Sequence, residues 1–262
     1  MKIWSQSCSP LHHPTRKDYQ EALEKHAKRI ARPGTVVEFH GMKAQIPGMT
    51  TSHTGESVCG WRSVRDAIRA EREGYDAFVM SSAFDSGYYG IREMVEIPVV
   101  FITEASIHIA RMLGHKFAFL TINPFMLSRL MQIAKQYDLD ERMVQGGCVD
   151  ISYANDFPKM FKEPAPYVDR ATKSIKEIAA RGANIIIPVP VPISMFLLEQ
   201  GVKEVETSRI LDIFGCGLKM TELMVDLKEM GMVRSKHGLF SRPPKELMAG
   251  LQKLYEVDFE TG

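Results

Sequence analysis

The sequence predicts an α/β protein built from two similar lobes, each a mainly parallel sheet flanked by helices, with a ligand cleft between them. Short, almost continuously apolar runs alternate with segments of helical periodicity along all 262 residues. Such runs are typical of parallel strands that helices cover on both faces. One helix-to-strand pattern also occurs twice, at residues 72–80 and 180–187, which predicts two related lobes.

Each predicted element has its own local signal. Apolar side chains recur at helical spacing from Tyr19 to Ile30, from Trp61 to Ile68 and from Val168 to Ile178. Gly74 and Gly182 follow the second and third of these helices, where a left-handed residue ends a helix. A further helix is predicted at 125–137, and strands are predicted at 1–4, 35–40, 77–80, 97–100, 117–120, 144–151, 185–187 and 209–214.

The order of these elements predicts how the chain divides. Residues 1–104 and 208–262 are expected to form the first lobe, because helices after the strand at 209–214 should return to the first sheet. Residues 105–207 are expected to form the second lobe. In Rossmann-like sheets, ligands lie beyond the carboxyl ends of the strands. The loops that follow Met80 and Ile187 are therefore expected to face each other across the cleft.

Composition excludes several functional classes. Apolar residues make up 45% and charged residues 25%, and 33 basic residues balance 32 acidic ones. No basic stretch favours nucleic acid or a membrane surface, no apolar run is long enough to span a bilayer, and the first residues do not resemble a signal peptide. Four cysteines without a CxxC pair suit a reducing cytoplasm. No glycine-rich phosphate loop is present, so we expect no nucleotide cofactor, only a small-molecule substrate and a homo-oligomer.

Residues 74–87, GYDAFVMSSAFDSG, resemble the first catalytic stretch of the aspartate/glutamate/hydantoin racemase superfamily. The similarity continues through 92–100, 104–108 and 113–117, and resumes at 181–187 and 235–240. The resemblance implies an enzyme that uses two cysteines, one per lobe, to remove and return a proton on opposite faces of a planar carbanion. It also widens the expected substrates to small carboxylates and cyclic amides.

Neither family cysteine is present in this sequence. The first cysteine position falls on Ser82, with Ser81 as the neighbouring alternative, and the second falls on Pro190. Because proline has no acidic or basic group, racemisation by two thiols is not expected. Superfamily members also include arylmalonate decarboxylases and maleate isomerases. The resemblance therefore implies isomerisation, decarboxylation or ring-opening hydrolysis through an enolate, a carbanion or attack on a carbonyl.

Candidate site residues follow the predicted strands. Ser82 is expected to stabilise an oxyanion and Asp85 to act as a base, although Asp85 is also a candidate helix cap. Substrate contacts are expected from hydroxyl and amide side chains and from a rigid apolar wall at Pro190; the polar members are Ser7, Ser81, Thr121 and Asn123. Asn123 is alternatively the cap of the helix at 125–137.

Histidines and cysteines give the remaining hypotheses. His53 and Glu56 are candidate replacement acid–base groups. Together with His12 and His13 they also define the alternative of a metal-assisted hydrolase, but the spacing lacks a paired-ligand signature and no metal is assigned. Cys8 follows the first strand and is a candidate catalytic thiol, whereas Cys59, Cys148 and Cys216 are expected to take no part. A non-catalytic binder of small ligands is the third alternative.

Overall fold

A computed structural model describes residues 1–11, 13–42, 48, 51–152 and 156–255. The strands are β1 Lys2–Gln6, β2 Val36–His40, β3 Ala77–Met80, β4 Val99–Phe101, β5 Phe117–Thr121, β6 Gly147–Cys148, β7 Ile185–Pro188, β8 Glu204–Val205 and β9 Ser208–Ile210. The helices are α1 Lys17–Ile30, α2 His53–Arg72, α3 Tyr88–Met94, α4 Ile102–Leu113, α5 Pro124–Gln136, α6 Phe157–Met160, α7 Ala165–Ala180, α8 Val191–Glu199, α9 Ile213–Glu229 and α10 Lys245–Tyr255.

The strands form two sheets, which confirms the predicted α/β class. The first sheet has the order β2-β1-β3-β4 and is parallel throughout. The second has the order β6-β5-β7-β9-β8, and only the short β8 runs antiparallel. Parallel strands need long crossover connections, and the helices between the strands supply them.

The two faces of the first sheet are buried against different partners. Along β1 and β3 successive side chains point to opposite faces. Ile3 and Val79 join the core that continues into the second lobe, whereas Trp4 and Phe78 pack in a separate cluster with residues of α2 and α3. All four side chains are at most 1% exposed. Burial on both faces explains why these strands are almost continuously apolar in the sequence.

The structure corrects the predicted strand at 209–214. The strand spans only Ser208–Ile210, and it pairs with β7 in the second sheet instead of belonging to the first lobe. The chain returns to the first lobe only afterwards, when α9 packs against β3, β4 and α4. Asp212 ends the extended segment because its side chain accepts a hydrogen bond from the Gly215 amide and so begins α9.

The start of α2 also differs from the prediction. The helical pattern was clearest from Trp61 onward, and Gly55 argued against a helix around His53. The helix nevertheless begins at His53, because the Ser52 side chain accepts a hydrogen bond from the Gly55 amide at 3.1 Å. This cap offsets the low helical propensity of glycine. The extra two turns carry Glu56 and Cys59 to the carboxyl ends of β1 and β3.

Within the described residues, no helix combines the length and the apolar character that crossing a membrane requires.

Candidate active site

A small cavity of about 40 Å³ lies at the carboxyl ends of β1 and β3, facing the start of α8. Six of the residues predicted for the site line it: Ser7, Cys8, Glu56, Ser81, Ser82 and Pro190. They meet because β1 and β3 are adjacent parallel strands, so the loops that follow them leave the sheet at the same edge. The structure therefore brings six of the ten predicted site residues to one cavity, and their functional roles stay predictions.

The two lobes contribute very different chemistry to the cavity. The described lining residues from the first lobe include hydroxyls, thiols, a carboxylate and a guanidinium. Those from the second lobe are Met126, Pro190, Val191 and Pro192, and none of them can exchange a proton. Pro190 and the two residues after it are buried. Among the described lining residues, all groups that can exchange a proton therefore belong to the first lobe.

The acid–base side holds a pair of thiols. Cys8 and Cys59 are 7% and 2% exposed, and both line the cavity. Hydrogen bonding to Cys59, together with burial, raises the pKa of Cys8. The hydrogen bond that Cys8 donates lowers the pKa of Cys59, against the opposing effects of burial and of the Glu56 charge. The Ser82 and Ser86 hydroxyls oppose the effect on Cys8 and favour a lower pKa of Cys8.

Arg16 also lines the cavity and brings a positive charge to it. It ends the short 3₁₀ helix Pro14–Arg16 and is only 4% exposed. Its guanidinium lies over the Phe157 ring, 5.0 Å from the ring centre, which fixes the orientation of the side chain. A buried arginine beside serine hydroxyls can bind a carboxylate through charge-assisted hydrogen bonds.

Glu56 borders the cavity and is held by the second lobe. Its carboxylate accepts hydrogen bonds from both Nε and a terminal nitrogen of Arg129, with the Nε contact at 2.8 Å. The two side chains are 14% and 17% exposed. The pair links α2 to α5 across the two lobes. Glu56 is therefore engaged in an ion pair and is not the unpaired base that the sequence suggested.

The structure gives Asp85 a capping role. Its two carboxylate oxygens accept hydrogen bonds from the amides of Thr103 and Glu104 at the start of α4, at 3.1 and 2.9 Å. The Tyr137 hydroxyl donates a third bond at 3.0 Å. Burial, with the Glu104 charge nearby, raises the pKa of Asp85 to about 7. Asp85 does not line the small cavity, and the helix that it caps is α4 instead of the α3 that directly follows it.

Asp85 instead borders a larger cavity of about 730 Å³ between α2, α3, α5 and α10. This cavity is mostly apolar and aromatic, and shares Glu56, Phe84 and Ser86 with the small one. His53 lines it too, with 70% of its side chain exposed and Nδ1 3.7 Å from Glu56. The structure thus separates His53 from the Ser82 wall with which the sequence grouped it.

Two predicted substrate contacts do not line the small cavity. Thr121 is 0% exposed, and its hydroxyl has no hydrogen-bond partner among the described residues. Asn123 accepts a hydrogen bond from the Met126 amide at 2.9 Å and so caps α5. This outcome is the alternative that the sequence left open, and it follows from the strong preference of asparagine for that position.

The described part of the chain does not contain the group of metal ligands that a metal-assisted hydrolase would need. No group of three histidine, cysteine, aspartate or glutamate side chains lies close enough there to hold an ion. His13 is exposed and bonded to the Thr15 hydroxyl at 2.7 Å. His12, which completed the proposed cluster, lies outside the described residues.

Sequence reasoning missed Arg16 and dismissed Cys59. The signal for Cys59 was available, because Glu56 and Cys59 are three residues apart and so share one face of a helix. The expectation that Cys59 takes no part follows instead from the family cysteine positions, which fall on Ser82 and Pro190. Arg16 carried no comparable signal, since its burial depends on Phe157, which is more than 100 residues away in sequence.

Comparison with known proteins agrees with this architecture. The family model for Asp/Glu/hydantoin racemases matches residues 13–187, more than half of the chain. The chain therefore belongs to the Asp/Glu/hydantoin racemase family, as its motifs suggested. A hydantoin racemase from Pseudomonas sp. (strain NS671) is 29% identical over 124 residues, 47% of this chain and 49% of that protein. The match thus spans about half the length of this curated relative.

Solved structures share the fold over a longer stretch. Allantoin racemase from Klebsiella pneumoniae has a TM-score of 0.76 at 21% identity, covering 93% of this chain and 94% of that one. Arylmalonate decarboxylase has a TM-score of 0.55 at 14% identity, covering 86% and 92%. These likenesses establish the two-sheet architecture.

Proposed function

We propose that the protein is an enzyme acting on small carboxylates or cyclic amides through an enolate or carbanion that is protonated from one face only. The observation that carries this proposal is the asymmetry of the small cavity. Its first-lobe side holds Ser82, Cys8 and Cys59, whereas the described residues of its second-lobe side are Met126 and the Pro190–Pro192 wall. Racemisation needs acid–base groups on both faces of the carbanion, but isomerisation and decarboxylation need only one.

The remaining groups suit such a reaction. Arg16 would bind the carboxylate of the substrate, and the Ser82 hydroxyl would donate a hydrogen bond to the developing enolate oxygen. The apolar second-lobe wall would exclude water from the opposite face. Ring-opening hydrolysis is less favoured, because the one carboxylate lining the small cavity in the described residues, Glu56, is paired with Arg129 and is not free to activate water.

The test is a panel of substrates taken from the similar proteins: hydantoins, allantoin, arylmalonates, aspartate and glutamate. Each would be incubated with the protein in D₂O, followed by NMR and by chiral chromatography. We expect deuterium incorporation or loss of CO₂ that yields a single enantiomer. Conversion of one pure enantiomer into an equal mixture of both would overturn the proposal in favour of a racemase.

Two further outcomes identify the alternatives. Binding of a panel compound by calorimetry without any turnover would indicate the non-catalytic binder. Turnover that a chelator abolishes and added metal restores would indicate the metal-assisted hydrolase.

A further inference from the structure

We propose that the larger cavity, between α2, α3, α5 and α10, is a second ligand site that binds a small organic cation with an aromatic body. This inference is independent of the reaction proposed for the small cavity. In the described part of the chain the two cavities share Glu56, Phe84 and Ser86, but Ser82 and Pro190 line the small cavity and not the larger one.

The size and the lining of the larger cavity are those of a small-molecule site. Such sites usually measure about 300–1,000 Å³, are mostly apolar and aromatic, and contain a few polar groups that orient the ligand. This cavity measures about 730 Å³. Its walls come from α2 and α3 of the first lobe, from α5 of the second lobe and from α10. A molecule bound there would therefore contact both lobes.

Large apolar side chains are left uncovered in this cavity. Trp61, Tyr89 and Leu247 are 42%, 36% and 52% exposed, and all three line it. Exposure of several large apolar side chains in one place is unfavourable in water, so a ligand that covered them would gain from the hydrophobic effect. The faces of tryptophan and tyrosine rings also attract cations. An aromatic body that carries a positive charge suits both properties.

The charges of the lining favour a cation over an anion. The described lining residues include three carboxyl groups, those of Glu56, Asp85 and Glu93, and one guanidinium, that of Arg129. Arg129 is already paired with Glu56. With His53 protonated, the ionised carboxylates would still outnumber the positive side chains of the lining by one. An anion would therefore be repelled, and a cation would be attracted.

Glu93 is the carboxylate best placed to bind the ammonium group. Asp85 already accepts hydrogen bonds from two backbone amides and from the Tyr137 hydroxyl. Glu93 lies four residues after Tyr89 on α3, so the two side chains share one face of the helix, and both line the cavity. A ligand whose ring covers Tyr89 would thus bring its ammonium group to Glu93.

The first experiment compares three probes of equal size by titration calorimetry: tryptamine, a cation; tryptophol, its neutral analogue; and indole-3-acetate, an anion. The titrations would be run at pH 8, above the Asp85 pKa of about 7, so that this carboxylate is ionised. We expect tryptamine to bind about tenfold more tightly than tryptophol, and indole-3-acetate to bind most weakly. Equal affinities for tryptamine and tryptophol, tighter binding of indole-3-acetate, or no binding of any probe would overturn the proposal.

The second experiment locates the site with variants. Glu93→Gln should weaken tryptamine binding about tenfold and leave tryptophol binding unchanged, because it removes the charge and keeps the shape. Trp61→Ala should weaken the binding of both probes, because it removes the shared apolar contact. The control is Glu177→Gln, which alters an exposed carboxylate on α7 and should match the parent. Parental tryptamine affinity in a folded Glu93→Gln variant, or equal weakening by Glu177→Gln, would overturn the assignment.

Discussion

Single side chains in this protein have roles that depend on which neighbour they meet. Ser82 follows β3 and lines the small cavity. Asp85, three residues further along, is buried beneath α4 and accepts hydrogen bonds from backbone amides. Two polar residues of one loop therefore have different surroundings, and only Ser82 borders the small cavity.

Replacement of Ser82 by alanine tests whether its hydroxyl stabilises an oxyanion. Removal of one such donor costs about 2.7–4 kcal/mol of transition-state binding, so Ser82→Ala should lower kcat by about 10²–10³-fold. The control is Ser128→Ala, which alters an exposed serine on α5 and should leave kcat unchanged. A Ser82→Ala variant with parental kcat would show that the hydroxyl merely ends the strand.

The raised pKa of Asp85 predicts that the stability of the protein depends on pH. Its pKa of about 7 in the native state lies above the ordinary value of 3.8, so the native state holds its proton while the unfolded state loses it. The free energy of unfolding should therefore fall as the pH rises from about 4 to 7, by on the order of 4 kcal/mol.

Urea unfolding of the parent and of Asp85→Asn at several pH values isolates this contribution. In the variant, the free energy of unfolding should no longer fall between pH 4 and 7. The loss of one hydrogen-bond acceptor at the start of α4 should also lower its stability at every pH. Asp169→Asn, which alters an exposed residue of α7, should keep the parental slope. Equal slopes in the parent and Asp85→Asn would contradict the raised pKa.

At the scale of elements, the position of α2 decides the site. This helix approaches the loop before α3 so closely that a Cβ on Gly60 would lie 2.9 Å from the Gly87 amide nitrogen. Gly87 itself has a φ of +84°, which side chains rarely adopt. The absence of two side chains thus lets α2 bring Cys59 against the cavity.

Gly60→Ala should therefore destabilise the protein, because backbone must move to admit the methyl group. Overpacking of this kind costs about 1–3 kcal/mol in urea unfolding. Gly250→Ala on α10 is the matched change, since its Cβ would meet nothing within 4 Å. That variant should be unchanged or more stable by about 0.5–1 kcal/mol, because alanine favours the helix. Equal destabilisation by both changes would contradict the close approach.

At the scale of the whole molecule, α5 and the residue that follows it link the two lobes through polar contacts. Arg129 pairs with Glu56 of α2, and Tyr137 donates a hydrogen bond to Asp85. The small cavity is lined by residues of both lobes, and Glu56 is one of them. The Glu56–Arg129 pair is therefore a contact between the lobes that lies directly at the candidate site.

A double-mutant cycle with Glu56→Gln and Arg129→Met measures the strength of this link. Because the pair is bidentate and mostly buried, we expect a coupling of about 1–3 kcal/mol in the free energy of unfolding. The exposed pair Lys176–Glu206, at 58% and 57% exposure, is the control and should couple by less than about 0.5 kcal/mol. Coupling no larger than the control would mean that the Glu56–Arg129 pair does not stabilise the contact between the lobes.

Several expectations about the whole protein remain predictions. They are the homo-oligomer, the cytoplasmic location and the division of the chain into lobes at residues 104 and 208. For the last of these, the pairing of β9 with β7 already moves the return to the first lobe beyond residue 210.

The sequence by itself determined the α/β class and the family, and it predicted six of the residues that line the small cavity. Apolar strands that end in Ser7, Ser81 and Ser82 are local signals, and adjacent parallel strands must bring such ends to one edge. Cys59 and Arg16 were decided only by the tertiary structure. The position of Cys59 depends on how α2 packs beside Gly87, and the burial of Arg16 depends on its contact with Phe157. Contacts between residues that are distant in the chain leave no periodic pattern in the sequence.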